Sequence, residues 1–418
     1  MATTENIELE EPNADASLFV KEGYDEPITE DNVPEGIRTD AYLEFAGRHH
    51  FDREEDPVFQ QTGNDLHTGT GFHTSILSLE RGIASMDELV DQFTYALQDG
   101  GGEMINPNTL FAADFYRYGS TTTDLVRKVR HDLVEAGYEY PGLEKVQESV
   151  EESIELAQDP ERHTAWASDL DLSRDEGDVI LFAAGPMTTV EEPEIPQASA
   201  KVLKAAGVDV GILSDPLPID LEAYEVGYEE EYKKFAKTNV EKLKETGVEN
   251  VVVCDSHSWL GFQRDYKRMF GDLPFEVTYI TDYIADLIDA GDLELTEKVD
   301  RTVAYHDSSG LNALSYVWES PREVLEEIPG LTFEDRDHVT RWGCDCGYGT
   351  SNFRALHPDL SRDIGEERLL EAEDLGVDDL VVACSYAKNQ FDWVKEERSS
   401  RIETPFIADL VIEALGGN

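Results

Sequence analysis

Thiols and basic side chains are both scarce in this chain of 418 residues, which has four cysteines and 34 Lys and Arg against 90 Asp and Glu. The balance, 34 − 90, is a formal net charge of −56. Sequence-independent binding to nucleic acid or to an anionic membrane needs a basic footprint, so both classes are excluded. The cysteines are Cys254, Cys344, Cys346 and Cys384, all late in the chain. So few, so placed, do not make the disulfide framework of a secreted protein. Long apolar runs are missing too. The longest uncharged stretch, Val179 to Met187, falls far short of the ~20 residues of a membrane helix. Met1 to Glu5 has neither a basic start nor an apolar run behind it, so no secretory signal is read there. What is present is 40% hydrophobic residues with 17 Phe and 17 Tyr, enough for real cores. The acids run along the whole sequence, as in a surface built for a high-salt cytoplasm where ions screen self-repulsion.

Residues 1–40 are acidic and proline-punctuated and read as an extended arm. Residues 41–170 have a helical pattern. Met86, Leu89, Val90 and Phe93 recur at i, i+3, i+4 and i+7, and a second run opens at Thr123, with Gly100-Gly101-Gly102 between the two. Beyond 175 the texture changes to short apolar strands at Val179–Ala184, Val208–Leu213, Val251–Cys254, Val277–Ile280, Val303–His306 and Leu380–Cys384. Helices such as Glu229–Thr246, acidic at the start and followed by Gly247, alternate with them. The fold class is therefore α/β, a parallel or mixed sheet with helices on its faces, preceded by a helical domain.

The second half repeats itself. Gly247-Val-Glu-Asn-Val-Val-Val-Cys-Asp-Ser256 matches Gly376-Val-Asp-Asp-Leu-Val-Val-Ala-Cys-Ser385, and Ile284-Ala-Asp-Leu287 recurs as Ile407-Ala-Asp-Leu410. Two α/β units, 175–297 and 298–418, follow from this duplication. Cys384 then aligns with Asp255, and Cys254 stands one position early. One step along a strand turns a side chain to the opposite face, so Cys254 is not the counterpart of Cys384.

These residues carry a family resemblance. Pro193-Glu194-Ile195, Lys201 to Val208 and Asp215-Pro216-Leu217 resemble the first of the paired cysteine-rich (CCG) domains of the heterodisulfide reductase B/D type. Tyr305-His306-Asp307, Ser320 to Leu325, Ile328 to Leu331 and Cys346-Gly347 resemble the second. Relatives of that type include the C-type subunit of anaerobic glycerol-3-phosphate dehydrogenase and the iron–sulfur subunits of lactate and glycolate oxidases. The resemblance implies electron transfer through iron–sulfur clusters, with the helical domain derived from a two-cluster ferredoxin.

The departures from the family pattern are concentrated at its ligands. In the first unit the resemblance puts ligand positions at Pro186, Ile212-Leu213, Asp255 and Ser258. In the second it puts them at Ser309, Asp345-Cys346, Cys384 and Ala387. In the helical domain, which has no cysteine, one trace runs through His67, Thr70, His73 and Leu77 and another through Asn106, Thr109, Ala112 and Tyr116. A cubane needs four thiolates or their equivalents, which Pro, Leu and Ala cannot supply.

Cys344, Cys346 and Cys384 remain as the best metal constellation. With Asp345 or His306 as a further donor they could hold zinc or an atypical [4Fe–4S]-type cluster in the second unit. The competing reading is of vestigial thiols packed at an old site, with no cofactor. Asp255-Ser256-His257-Ser258 holds the residue types of a hydrolytic triad, but adjacent residues rarely point at one another, and Asp255 fits better as a helix N-cap. His306-Asp307 reads as a remnant beside the second cluster or as a strand end capped by Ser308 and Ser309. No catalytic residue is assigned. The expectation is a cysteine-depleted paralogue of an iron–sulfur subunit, not catalytic alone. It would serve as a structural or regulatory partner of a cluster-bearing paralogue or a flavoprotein dehydrogenase subunit, reaching membranes only through partners. The alternative is an electron-transfer oxidoreductase subunit with one residual centre. A third option is an enzyme using the emptied cavities as a pocket.

Overall fold

The computed structural model describes residues 56–80, 82–95, 122–137, 142–219, 221–225, 228–312, 317–335, 345–349 and 352–417. The expected arm at 1–40, the Gly100 to Gly102 break, the trace from Asn106 to Tyr116 and Cys344 lie outside them.

Among the described residues eight strands form two all-parallel sheets. The first holds β1 (Ser173–Arg174), β2 (Val179–Phe182), β3 (Val210–Ile212), β4 (Asn250–Val253) and β5 (Glu276–Tyr279) in the order β1-β3-β2-β4-β5. The second holds β6 (Thr302–Tyr305), β7 (Thr332–Phe333) and β8 (Asp379–Val381) in the order β7-β6-β8. Parallel bridges from Asp379 to Glu403 and from Val382 to Phe406 add a fourth line beside β8. The order β3-β2-β4-β5 is thus repeated as β7-β6-β8-(403–406), the topology of a duplicated unit. β2 is buried at every position, as expected for a parallel strand with both faces covered.

The helices repeat in step with the strands. Glu229–Thr246 and Pro358–Leu375 are both 18 residues long, and each ends on a left-handed glycine, Gly247 and Gly376, the geometry of a C-cap. A strand follows each, then an extended N-cap residue, Asp255 or Cys384, then the helices Ser256–Leu260 and Ser385–Arg398. The equivalence of Asp255 and Cys384 is therefore structural as well as sequential. The helix that Asp255 caps gives way after Leu260 to a wider π turn at Gly261–Tyr266 before Lys267–Phe270. That turn puts both Phe262 and Tyr266 fully in the core, their rings 4.8 Å apart.

One continuous apolar core runs from Trp166 to Ala414 and spans both sheets. Phe72, Phe93, Val126, Val129 and Leu133 make a smaller one among the N-terminal helices, including Gly69–Glu80 and Thr122–Glu135. The single helix expected from Met86 to Phe93 is instead Met86–Leu89 followed by a tight turn at Asp91–Thr94. The tightening brings Gln92 inside, where its side chain donates to Leu66 O (2.7 Å) and accepts from Ser75 Oγ (2.6 Å). Arg127, 1% exposed, pairs with the buried Glu225 and ties this helical part to the α/β part. Removing either partner of such a pair leaves an uncompensated buried charge.

Candidate functional site

The carboxyl ends of β4 and β8 face one another, and ligands of open parallel sheets collect at such ends. Asp255 caps its helix by accepting from Ser258 N (2.7 Å), and its other oxygen accepts from Ser258 Oγ (2.7 Å). The serine is thus bonded directly to the aspartate, with no histidine between them, and a triad is not formed. His257 instead lies against the ring of Tyr386, 3.5 Å between centroids.

Across the junction Ser256 Oγ meets Cys384 Sγ at 3.1 Å, and Thr188 Oγ1 meets Ser385 Oγ at 3.0 Å. Tyr279 of the first sheet donates its hydroxyl to Ala383 O of the second. Burial pushes the Cys384 thiol up, with the Ser256 hydroxyl opposing that shift, so it stays a thiol rather than a thiolate at neutral pH. Cys254 is pushed up further by burial and has Ser199 as its hydrogen-bond partner. The two thiols therefore face different neighbours, as the one-residue offset requires. Thr188 was not singled out by sequence, Ser385 entered only through the repeat, and Ser256 only through the repeat and the rejected triad. The repeat register was the signal available, since it sets Ser256 and Ser385 at equivalent positions.

The second group lies around Asp345, 1% exposed. Asp345 accepts from Ser309 Oγ (2.7 Å) and from Gly347 N (2.6 Å). Gly347 has φ +87°, and a Cβ there would sit 2.5 Å from Ser361 O, so glycine is required by both backbone and space. Cys346 is buried, its carbonyl facing Gly365 of the Pro358–Leu375 helix. His306 is buried edge-on to Phe391, 4.9 Å between centroids. Asp307 receives both arms of Arg322 (2.9 and 2.7 Å), which also reaches Asp335. That pairing holds Arg322 protonated, its pKa raised by the two carboxylates against the cost of burial. Asp307 is thus the anchor of an ion pair rather than a strand end capped by serine.

His67 stacks on Tyr95 at 3.9 Å, and Tyr95 stacks on His357 at 4.0 Å. The His67 ring nitrogens meet Thr62 Oγ1 and Asn64 Nδ2, both at 3.1 Å, and burial lowers its pKa. Thr70, His73 and Leu77 lie on the Gly69–Glu80 helix.

The cluster chemistry that the resemblance implies can be tested against these side chains. In the first unit Ile212 and Leu213 line a small recess with Trp166, Phe182 and Pro216, too tight to hold a water molecule. Asp255 and Ser258 are bonded to each other. These residues do not fit a thiolate-held cluster. In the second unit Ser309 and Asp345 are likewise bonded to each other, leaving the thiols of Cys346 and Cys384. Among the described residues no group of three or more His, Cys, Asp or Glu is arranged to hold a metal.

The model of the cysteine-rich domain matches residues 303–392, the stretch from β6 into the Ser385–Arg398 helix. Residues 303–392 are a CCG domain. The chain is homologous to the D-type subunit of dihydromethanophenazine:CoB–CoM heterodisulfide reductase from Methanosarcina barkeri, 28% identical over 263 residues. That match covers 62% of this chain and 64% of the relative, so the chain spans just under two thirds of that relative's length. A probable iron–sulfur-binding oxidoreductase, FadF of Bacillus subtilis, is 25% identical over 242 residues, covering 57% of this chain and 34% of that protein. A hypothetical protein of Helicobacter pylori shares the fold, with a TM-score of 0.56 at 11% identity over 92% of this chain and 74% of that one. The CCG domain contains β6, β7, β8, Asp345, Cys346 and Cys384, so the hydrogen-bonded Ser309–Asp345 pair lies inside it.

Proposed function

We propose that this chain is a subunit of a redox complex of the heterodisulfide reductase type in which the cluster-holding loops are closed by hydrogen bonds instead of metal. The homologues are iron–sulfur oxidoreductase subunits, which supports an electron-transfer complex as the setting. One observation carries the finer reading. In each α/β unit, two positions that the resemblance assigns to cluster ligands bond directly to one another, Asp255 with Ser258 and Ser309 with Asp345. A pair of side chains that saturates itself holds its loops in place and offers no open coordination site. On this reading the chain keeps the family's docking surfaces for a cluster-bearing paralogue or a flavoprotein subunit and acts as a structural or regulatory partner. The N-terminal helical part and the two units at 175–297 and 298–418 are its working domains, in a cytoplasm rich in salt.

A second reading is favoured by Cys346 and Cys384, buried thiols in one CCG domain. With Cys344, and with Asp345 or His306 as a further donor, they would retain one zinc or iron–sulfur centre. Oxygen-free co-purification of the tagged chain from its own cells in molar KCl, with iron, sulfide and zinc assayed, separates the readings. A metal-free chain accompanied by a flavoprotein or cluster-bearing subunit supports the first. Stoichiometric iron with sulfide, or zinc, that disappears in Cys384→Ser supports the second and overturns the first.

A further inference from the structure

The turn after β2 (Met187–Glu191) lies against the Ser385–Arg398 helix of the other sheet, and a cluster of acids is gathered at that contact. Glu192, 5% exposed, closes the turn and accepts from Asn389 Nδ2 at 2.8 Å. Asn389 is itself oriented by Arg354, whose guanidinium donates to its Oδ1 at 3.0 Å. Glu192 and Glu194 share the Lys388 ammonium, each 3.8 Å from it, while Asp392 takes it at 2.5 Å. Asp409 faces the same lysine and Glu194. Lys395, 3.4 Å from Asp392, is committed to Glu403 at 3.0 Å. On the remaining side His163 accepts from Gly185 N (3.0 Å) and so is neutral at that nitrogen. Four carboxyl groups therefore crowd one ammonium, with Glu192 and Glu194 each 3.8 Å from it. Carboxyls gathered on one ammonium repel one another, and a proton on one of them relieves that repulsion.

We propose that a proton on the buried Glu192, which lies against Asn389 and shares Lys388 with Glu194, clamps the 185–192 turn onto the Ser385–Arg398 helix, so that the junction between the two sheets tightens as pH falls and loosens as it rises. The direction follows from linkage. Burial first, then Glu194, raises the Glu192 pKa from 4.5 to about 7 in the closed junction, with Asn389 and Lys388 opposing. Opening restores the ordinary value, so opening releases the proton. The clamp is fully present below pH 4.5, weakens as pH rises, and is lost above about 7. Because the two halves meet here, the loosening reaches the Thr188–Ser385 contact directly.

Hydrogen exchange on the full chain at fixed molar KCl tests this, following the peptide over 185–192 with intrinsic exchange corrected. Protection in the wild type should fall about tenfold per pH unit between pH 5 and 7 and level off above. Glu192→Gln retains an acceptor for Asn389 and should flatten the profile. Glu194→Gln, at a half-exposed position that will not threaten folding, should reduce its slope. A flat wild-type profile overturns the proposal, as does a slope that survives unchanged in both variants or in Glu194→Gln alone if Glu192→Gln does not fold.

Discussion

Buried acids decide much of this molecule residue by residue, and Asp255, Asp307 and Asp345 each have a named donor. Asp307 is held by the two arms of Arg322, a planar fork that lysine cannot imitate. Arg322→Ala should cost about 3–5 kcal/mol in denaturant unfolding, because the aspartate is left charged and buried. Arg322→Lys should recover only part of that loss, and a loss below ~1 kcal/mol for the alanine variant would contradict the pairing. His163 makes the converse case. Burial lowers its pKa to about 4, and its ring nitrogen accepts from the Gly185 amide. Its folded value lies below the unfolded 6.5, so its contribution to stability is present above 6.5 and is lost as pH falls toward 4. The His163 ring resonances should therefore stay neutral down to pH 5 in NMR titration, and a midpoint near 6.5 would refute the arrangement. Neither pair was legible in the sequence. Asp307 and Arg322 are 15 positions apart and His163 and Gly185 are 22 apart, and no local pattern links residues at such separations.

At the scale of elements the sequence was far more informative, because strand and helix patterns are local. The Glu229–Thr246 helix has the bounds its acids and its glycine indicated, and Asp255 is the N-cap that its place between strand and helix implied. Strand ends moved by a residue or two, from Val251–Cys254 to Asn250–Val253 for instance. What escaped notice was short. β7 is two residues long, and the bridged line at 403–406 is interrupted by Pro405, which only an edge tolerates. The π turn at Gly261–Tyr266 escaped because its extra residue serves tertiary packing rather than helical period. The capping claim can be measured. Asp255→Ala should lose about 1–2 kcal/mol of stability, while Asp255→Asn, which retains an acceptor for Ser258 N, should lose less. Equal losses in the two would show that the charge, not the cap, is what matters. At Gly347, alanine would meet both a left-handed backbone and the Ser361 carbonyl, so Gly347→Ala should lower the unfolding temperature even though it adds a single methyl.

For the whole molecule two facts stand together, a charge of −56 and direct Asp255–Ser258 and Ser309–Asp345 hydrogen bonds at positions that the resemblance assigns to cluster ligands. Self-repulsion of that charge is screened within about 10 Å at 0.1 M salt and within about 3 Å at 1 M. The unfolding temperature should accordingly rise steadily as KCl is raised from dilute to molar, and a maximum in dilute buffer would contradict this. No helix among the described residues is long and apolar enough to cross a membrane. The matching glycine cap, strand and N-cap that follow Glu229–Thr246 and Pro358–Leu375 were legible from the repeated segments at Gly247 and Gly376, since like sequences make like strands and caps. The Asp255–Ser258 and Ser309–Asp345 bonds were not, because absent cysteines state only what cannot bind and not what replaces it. That replacement is the central claim, and one measurement reaches it most directly. Protein purified without oxygen in molar KCl is assayed for iron and acid-labile sulfide, and its visible spectrum is recorded. The account predicts a colourless protein with neither element at stoichiometric level. Broad visible absorbance bleached by dithionite, with iron and sulfide in matching amounts, would contradict it.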